Sequence, residues 1–170
     1  VTRLLDLCHA QGVRPYLMTG NHDPRASNLH YLDLFDGRVF LTHGDALHEA
    51  VAPWSGESTA VLAERHRLMR ASSYPPDIDH QLLLCKQTEL IAALYDHKMP
   101  DGKLGQAAMV AKLAFRPWRI LLALSYWSRV VHYSREFTHR YRPSTKLFLI
   151  GHTHRAGVWK SRDMTVVNTG

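Results

Sequence analysis

Cysteine is scarce. Cys8 and Cys85 are the only two in 170 residues, too few for a framework of disulfides. They fit a reducing, cytoplasmic setting in which each packs as a small buried hydrophobe. No apolar run approaches the roughly 20 residues needed to cross a bilayer. The opening stretch VTRLLDLCHAQG has neither the basic start nor the long apolar centre of a secretory signal, and position 1 is Val, so the native start need not be included. There is no internal repeat and no low-complexity tract. These absences exclude a disulfide-stapled scaffold and a helical membrane span. With 45% apolar and 21% charged residues, the composition is that of a folded domain with a substantial core and not of a disordered chain.

Histidine and positive charge are abundant. There are 12 histidines, and the net charge is +6, which favours acidic partners: phosphate compounds, nucleic acid or an anionic membrane surface. The charge is unevenly placed. From Ala46 to Lys146 there are 14 Lys and Arg against 9 Asp and Glu, a surplus of five, whereas the remainder has a surplus of one.

Hydrophobic periodicity divides the chain at the same borders. TRLLDLCHAQ (2–11) predicts a helix stopped by Gly12, and VRPYLMT (13–19) a strand ended by Gly20. RVFLTH (38–43) and KLFLI (146–150) read as further strands, and GVWKS with MTVVN as a hairpin turning near Arg162 and Asp163. Between Asp45 and Lys146 there is little strand signal. Helices are expected over 55–71, with Ser58 near the start; over 79–98, capped by Asp79, with Leu83, Leu90, Ile91 and Leu94 on one stripe; over 103–115; and over 117–141, with Pro117 in the first turn. The pattern is α/β, with a core from 1–45 and 146–170 and a helical insertion or lid over 46–145.

Three apolar runs each end in a Gly-containing polar motif: GNHD (20–23), THGD (42–45) and GHTHR (151–155). In α/β sheets, strand ends are where binding and catalytic loops gather. Together the motifs offer Asn21, His22, Asp23, His43, Asp45, His152 and His154, a mixed nitrogen and oxygen donor set suited to divalent metals. His152 and His154 are two apart. If that stretch is extended they point to one side, where two metals roughly 3.5–4 Å apart could each take one.

GNHD, THGD and GHTH, in this order, resemble the last three of five sequence blocks of the calcineurin-like metallophosphoesterase family. The resemblance implies a β-sandwich flanked by helices (αββα) holding two divalent metal ions, Mn²⁺ first and Fe or Zn as alternatives. It implies that Asn21, His43 and His152 bind the second metal and His154 the first. His22 matches the family's catalytic histidine, Asp23 would orient and polarise it, and Asp45 could fix a nearby ligand by a hydrogen bond. Arg155, next to the last motif, could hold a phosphate oxygen with its planar fork. The implied activity is hydrolysis of a phosphate ester or pyrophosphate by metal-activated water. The family's two earlier blocks, D-x-H and G-D, are lacking upstream of GNHD; Asp6 and His9 are three apart and do not have the D-x-H spacing. The expectation is an internal piece of a longer protein, whose first metal would be undercoordinated if the piece stood alone.

The insertion bears on substrate. Trp118, Leu121, Leu122, Leu124 and Trp127 look exposed, on helices that resemble the lid of UDP-2,3-diacylglucosamine hydrolases, enzymes of lipid A synthesis in Gram-negative bacteria. Those commonly have Arg after the metal-binding Asn, where this chain has His22. The resemblance implies a phosphorylated small-molecule or lipid-linked substrate, with peripheral contact to the inner membrane through the basic helices. The alternatives are a nuclease or phosphodiesterase acting on nucleic acid or nucleotides, and a non-catalytic metal-binding scaffold. Against nucleic acid, basic and aromatic residues do not alternate as a stacking platform requires.

Overall fold

The structure is a computed structural model that describes residues 2–53, 55–56, 58–72, 77–96 and 117–170. The helix expected over 103–115 lies outside these residues. Within them the fold is mixed α/β, with a five-stranded sheet and four helices.

Helix α1 (Thr2–Ala10) stops where Gly12 takes φ 66°. The Val13 N–H donates to the Cys8 carbonyl at 2.8 Å and the Gly12 N–H to the His9 carbonyl at 3.0 Å, a left-handed cap that glycine enters without strain. Strands β1 (Tyr31–Leu34) and β2 (Val39–Thr42) form a hairpin. After β2 come a single 3₁₀ turn (Asp45–Leu47), then α2 (Ser58–Ala71), α3 (Ile78–Asp96) and α4 (Pro117–Tyr141). Strands β3 (Leu147–Ile150), β4 (Gly157–Lys160) and β5 (Thr165–Asn168) complete the sheet in the order β1-β2-β3-β5-β4. Strands β2, β3 and β5 are parallel, so His43, Gly151 and Asn168 reach the same edge, and β1 and β4 are antiparallel flanks.

Alternation sets the packing. Phe40 and Thr42, Phe148 and Ile150, and Val166 and Asn168 are buried on one face of the three parallel strands. Helix α4 covers that face. The Phe40 ring lies 5.3 Å from Phe148, and Phe137 of α4 stacks on the pair at 6.3 and 6.4 Å. The opposite face is also apolar, with Val39, Leu41, Leu147, Leu149 and Val167, but these are only half-buried. Arg142, after α4, donates to Asp33 Oδ2 at 2.8 Å and lies over the rings of Tyr31 and Phe40, pinning α4 to the first hairpin.

Four local expectations need correction. VRPYLMT is not a strand: it pairs with no other segment, and Val13, Tyr16 and Leu17 are exposed. A strand is defined by its neighbour, and none of the described residues supplies one. The segment YLDL, not expected as a strand, is one because β2 pairs with it. The cap of α3 is Asp77, whose Oδ1 accepts the His80 N–H at 2.8 Å; Asp79 sits in the first turn. The α3 stripe is rotated from the one expected, for Ile78, Leu82, Leu84 and Cys85 are buried while Leu83 is exposed; the side chains of Ile91 and Leu94 lie outside the description. Cys85 is buried as expected, and Cys8 is half-buried.

Removing the Phe148 ring, buried and flanked by two others, should leave a cavity that the sheet cannot close. Phe148→Ala is expected to lower unfolding free energy by about 3–5 kcal/mol in urea titrations.

Candidate metal centre

Asn21 lies in a loop closed on itself. The Thr19 N–H donates to the Leu29 carbonyl at 2.9 Å, the Asp23 N–H to the Gly20 carbonyl at 3.1 Å, and the Thr19 hydroxyl to the Asp23 carbonyl at 3.1 Å. Lys86 of α3 braces the far side through the Ser27 carbonyl at 3.1 Å. Gly20 has a steric purpose: a Cβ there would meet the His43 ring at 2.8 Å. The bare backbone lets the imidazole from the end of β2 lie against the loop from which Asn21 projects.

Three polar atoms converge. Asn21 Oδ1 lies 2.8 Å from His43 Nε2 and 3.1 Å from His152 Nδ1, and the two imidazoles meet edge-to-face at 5.3 Å. Two neighbouring groups settle the protonation of His152. Its Nε2 lies 3.2 Å from the Val51 carbonyl oxygen, which only accepts, so Nε2 carries a proton. Burial, with His43 adding to it against the pull of Asp45, pushes its pKa down to about 4, so near neutral pH the ring has no second proton. Nδ1 is therefore a lone pair facing the lone pairs of an amide oxygen. Two acceptors at 3.1 Å need a cation between them, or the amide must turn to present its NH₂. Burial likewise lowers the pKa of His43.

The donors fit a divalent ion. With metal–ligand distances of about 2.0–2.1 Å, adjacent ligands at right angles stand about 3 Å apart, and both observed separations are of this size. Neutral imidazole nitrogens and an amide oxygen are donors that borderline metals accept.

Backbone strain holds His152 in place. Val51, β-branched, has φ 58°, a left-handed conformation such residues rarely adopt, and its carbonyl reaches His152 from there. Tyr126 of α4, buried, sets its ring edge-on to His152 at 6.2 Å, and itself packs against His48 and Tyr133. The GHTHR stretch is not extended. His152 and His154 both have positive φ, 65° and 52°, so the two side chains part: His152 is buried and His154 exposed. Between them Thr153 is buried and accepts a hydrogen bond from the Asn168 amide at the end of β5, and Asn168 Oδ1 also takes the Gly170 N–H at 3.1 Å. Sequence reading missed Val51, Tyr126 and Asn168; only the position of Asn168 at a strand end hinted at a role.

His154 stands beside His22, their rings 6.4 Å apart and both exposed. His22, His154 and Asp23 are near enough to His43 to act on it electrostatically. All five histidine and amide residues expected at the centre are thus brought to one region, three in direct contact and His22 with His154 alongside. Asp23 and Arg155 are exposed and make no side-chain hydrogen bond or ion pair among the described residues.

Asp45 makes its hydrogen bonds elsewhere, though it lies near enough to His43 and His152 to act on both electrostatically. Its Oδ1 accepts the Ala46 N–H at 2.9 Å, and its carboxylate shares a hydrogen bond with Glu89 of α3. Burial, then Asp45, pushes Glu89 up to about 10, and Cys85 Sγ donates to Glu89 Oε1 at 3.4 Å. Asp45, Cys85 and Glu89 could by their spacing hold a metal. A proton shared between the two carboxyls already satisfies the pair, and the nearby Arg65 guanidinium opposes a second cation. The cluster therefore reads as a brace between the THGD turn and α3.

The chain matches no family model, no curated protein and no solved structure.

Two outcomes are expected. Gly20→Ala, whose Cβ must displace the His43 ring, should weaken Mn²⁺ binding by roughly 10–100-fold in titration calorimetry, with little change in thermal midpoint. For Glu89, raised in the folded state, stability is full below the unfolded pKa near 4.5 and is lost as pH rises towards 10. His152, lowered in the folded state, acts oppositely between about 4 and 6.5. Metal-free protein should therefore lose up to about 1 kcal/mol per pH unit from Glu89 above pH 6.5, and Glu89→Gln should flatten that limb in denaturant titrations.

Proposed function

We propose that this chain carries part of the active site of a binuclear metallophosphoesterase, hydrolysing a phosphate ester or pyrophosphate. The observation that carries the reading is the meeting of Asn21 Oδ1, His43 Nε2 and His152 Nδ1, three metal-donor atoms at 2.8 and 3.1 Å. When bound, divalent ions such as Mn²⁺, Fe or Zn neutralise phosphoryl charge and acidify water. Asn21, His43 and His152 hold one ion, and His154 contributes to the second. His22, exposed beside His154, would donate a proton from a ring nitrogen to the leaving oxygen, with Asp23 in the same loop to orient it. Arg155 is free to grip a phosphate oxygen with two parallel donors. Val51 and Tyr126 keep His152 neutral, oriented and dry.

The apolar second face of the sheet supports the finer fold, a calcineurin-like αββα sandwich, because half-buried Leu41, Leu149 and Val167 suit a further layer. A non-catalytic metal-binding scaffold is the second reading. It is favoured by Asp23, whose carboxylate makes no side-chain hydrogen bond to His22 among the described residues.

Metal content and turnover of an aryl phosphate with Mn²⁺ separate the readings. His22→Ala should lose roughly 10²–10⁴-fold in kcat and keep its metal, while His152→Ala should lose metal and turnover together. Equal metal loss in both variants would refute the division of roles, and metal binding with no hydrolysis would favour the scaffold.

A further inference from the structure

The proton on His152 Nε2 is fixed by one atom, the Val51 carbonyl oxygen 3.2 Å away. A backbone that Val51 would not choose for itself delivers that oxygen. Val51 is β-branched, buried and held at φ 58°. The Ala52 N–H donates across it to the Ala50 carbonyl at 2.6 Å. This closes a three-residue turn over a positive φ, the rare and strained kind. Such a conformation persists only where its surroundings over-determine it.

The constraints on this turn trace to His48. The Val51 N–H donates to the His48 carbonyl at 2.9 Å, and the Ala50 N–H donates to His48 Nδ1 at 3.1 Å. One residue thus takes a backbone donor with its main chain and the preceding donor with its side chain. Accepting at Nδ1 requires an unprotonated nitrogen. Burial pushes the His48 pKa down, with Glu49 opposing and Arg65 adding, so near neutral pH that lone pair is present. The same ring stands edge-on to Tyr126 at 5.8 Å and to Tyr133 at 5.5 Å. Tyr126 in turn stands edge-on to His152 at 6.2 Å. His48 therefore reaches His152 by two routes, through the Val51 carbonyl and through the Tyr126 ring. A ring that only filled space would need no acceptor at Nδ1, and the bond from Ala50 sets His48 apart from such a filler.

We propose that His48 is a positioning residue for the metal centre. Its Nδ1 and its carbonyl fold residues 48–52 so that Val51 presents its carbonyl to His152 Nε2, which leaves His152 Nδ1 as the lone pair beside Asn21. This role deepens the metal reading and rests on it, yet the tautomer of His152 can be read in metal-free protein.

Two substitutions separate the acceptor from the ring. His48→Asn places an oxygen on the same γ carbon that bears the imidazole Nδ1, and Asn side chains readily accept from the N–H two residues on. His48→Phe keeps a ring beside Tyr126 and Tyr133 and gives up the acceptor. NMR of the imidazole nitrogens in metal-free protein, with His152 identified by its loss in His152→Ala, should show the Nε2–H tautomer in the parent and in His48→Asn. In His48→Phe the ring should become a mixture of both tautomers. Titration calorimetry with Mn²⁺ should find His48→Phe roughly 10–100-fold weaker, with His48→Asn restored to within about threefold of the parent. Should His48→Phe fail to fold, His48→Gln, whose oxygen stands one bond further out, takes its place in both measurements. The proposal is overturned if His152 in the parent is not the Nε2–H tautomer, or if His48→Phe keeps the parent's tautomer. It is overturned equally if His48→Asn disturbs the tautomer as much as His48→Phe does. A parent that binds no Mn²⁺ would defeat the metal reading, and the tautomer comparison would still decide for or against His48.

Discussion

A neutral imidazole nitrogen aimed at an amide oxygen is the contact around which this molecule is organised. Neither His152 Nδ1 nor Asn21 Oδ1 has a proton to offer, and burial denies His152 a second one. The frustration is local and specific. It is relieved by a cation or by turning one amide, and the surrounding backbone is arranged so that neither imidazole escapes. Gly20 admits His43, Val51 bends into an unfavourable conformation to hold His152 by its other nitrogen, and Asn168 ties down Thr153 behind it. Strain accepted at several points around one contact is the mark of a preorganised site.

The helices between β2 and β3 contribute to that site as well as to the bulk of the protein. Tyr126 on α4 forms part of the wall around His152, and the same helix covers the buried face of the sheet through Phe137. Its two ends serve different surroundings, for the C-terminal half is held in the core while the first two turns stand clear of it.

A second buried polar group lies behind the first. Asp45 belongs by sequence to the THGD motif, yet its carboxylate turns to α3 and shares a proton with Glu89. Such a pair is costly to ionise, and it fixes the position of the 3₁₀ turn that follows His43. The turn after His43 is thereby anchored from α3.

The sequence by itself determined the local elements and the identity of the donors. Helix α4 begins at Pro117 because its ring suits a first turn; the strands RVFLTH and KLFLI and the final hairpin announce themselves by alternation; and GNHD, THGD and GHTH mark the residues that meet, because each follows a turn-forming glycine or closes an apolar run. Tertiary structure alone decided the pairings and directions. VRPYLMT has strand chemistry but no strand neighbour among the described residues, whereas YLDL is short and becomes a strand because β2 lies beside it. Asp45 and His43 are two residues apart and face different partners, and His152 and His154 diverge because both adopt positive φ. Alternation and spacing encode what a residue prefers within its own segment. Which acceptor a buried nitrogen faces, and how strained a backbone can be, depend on atoms a hundred residues away.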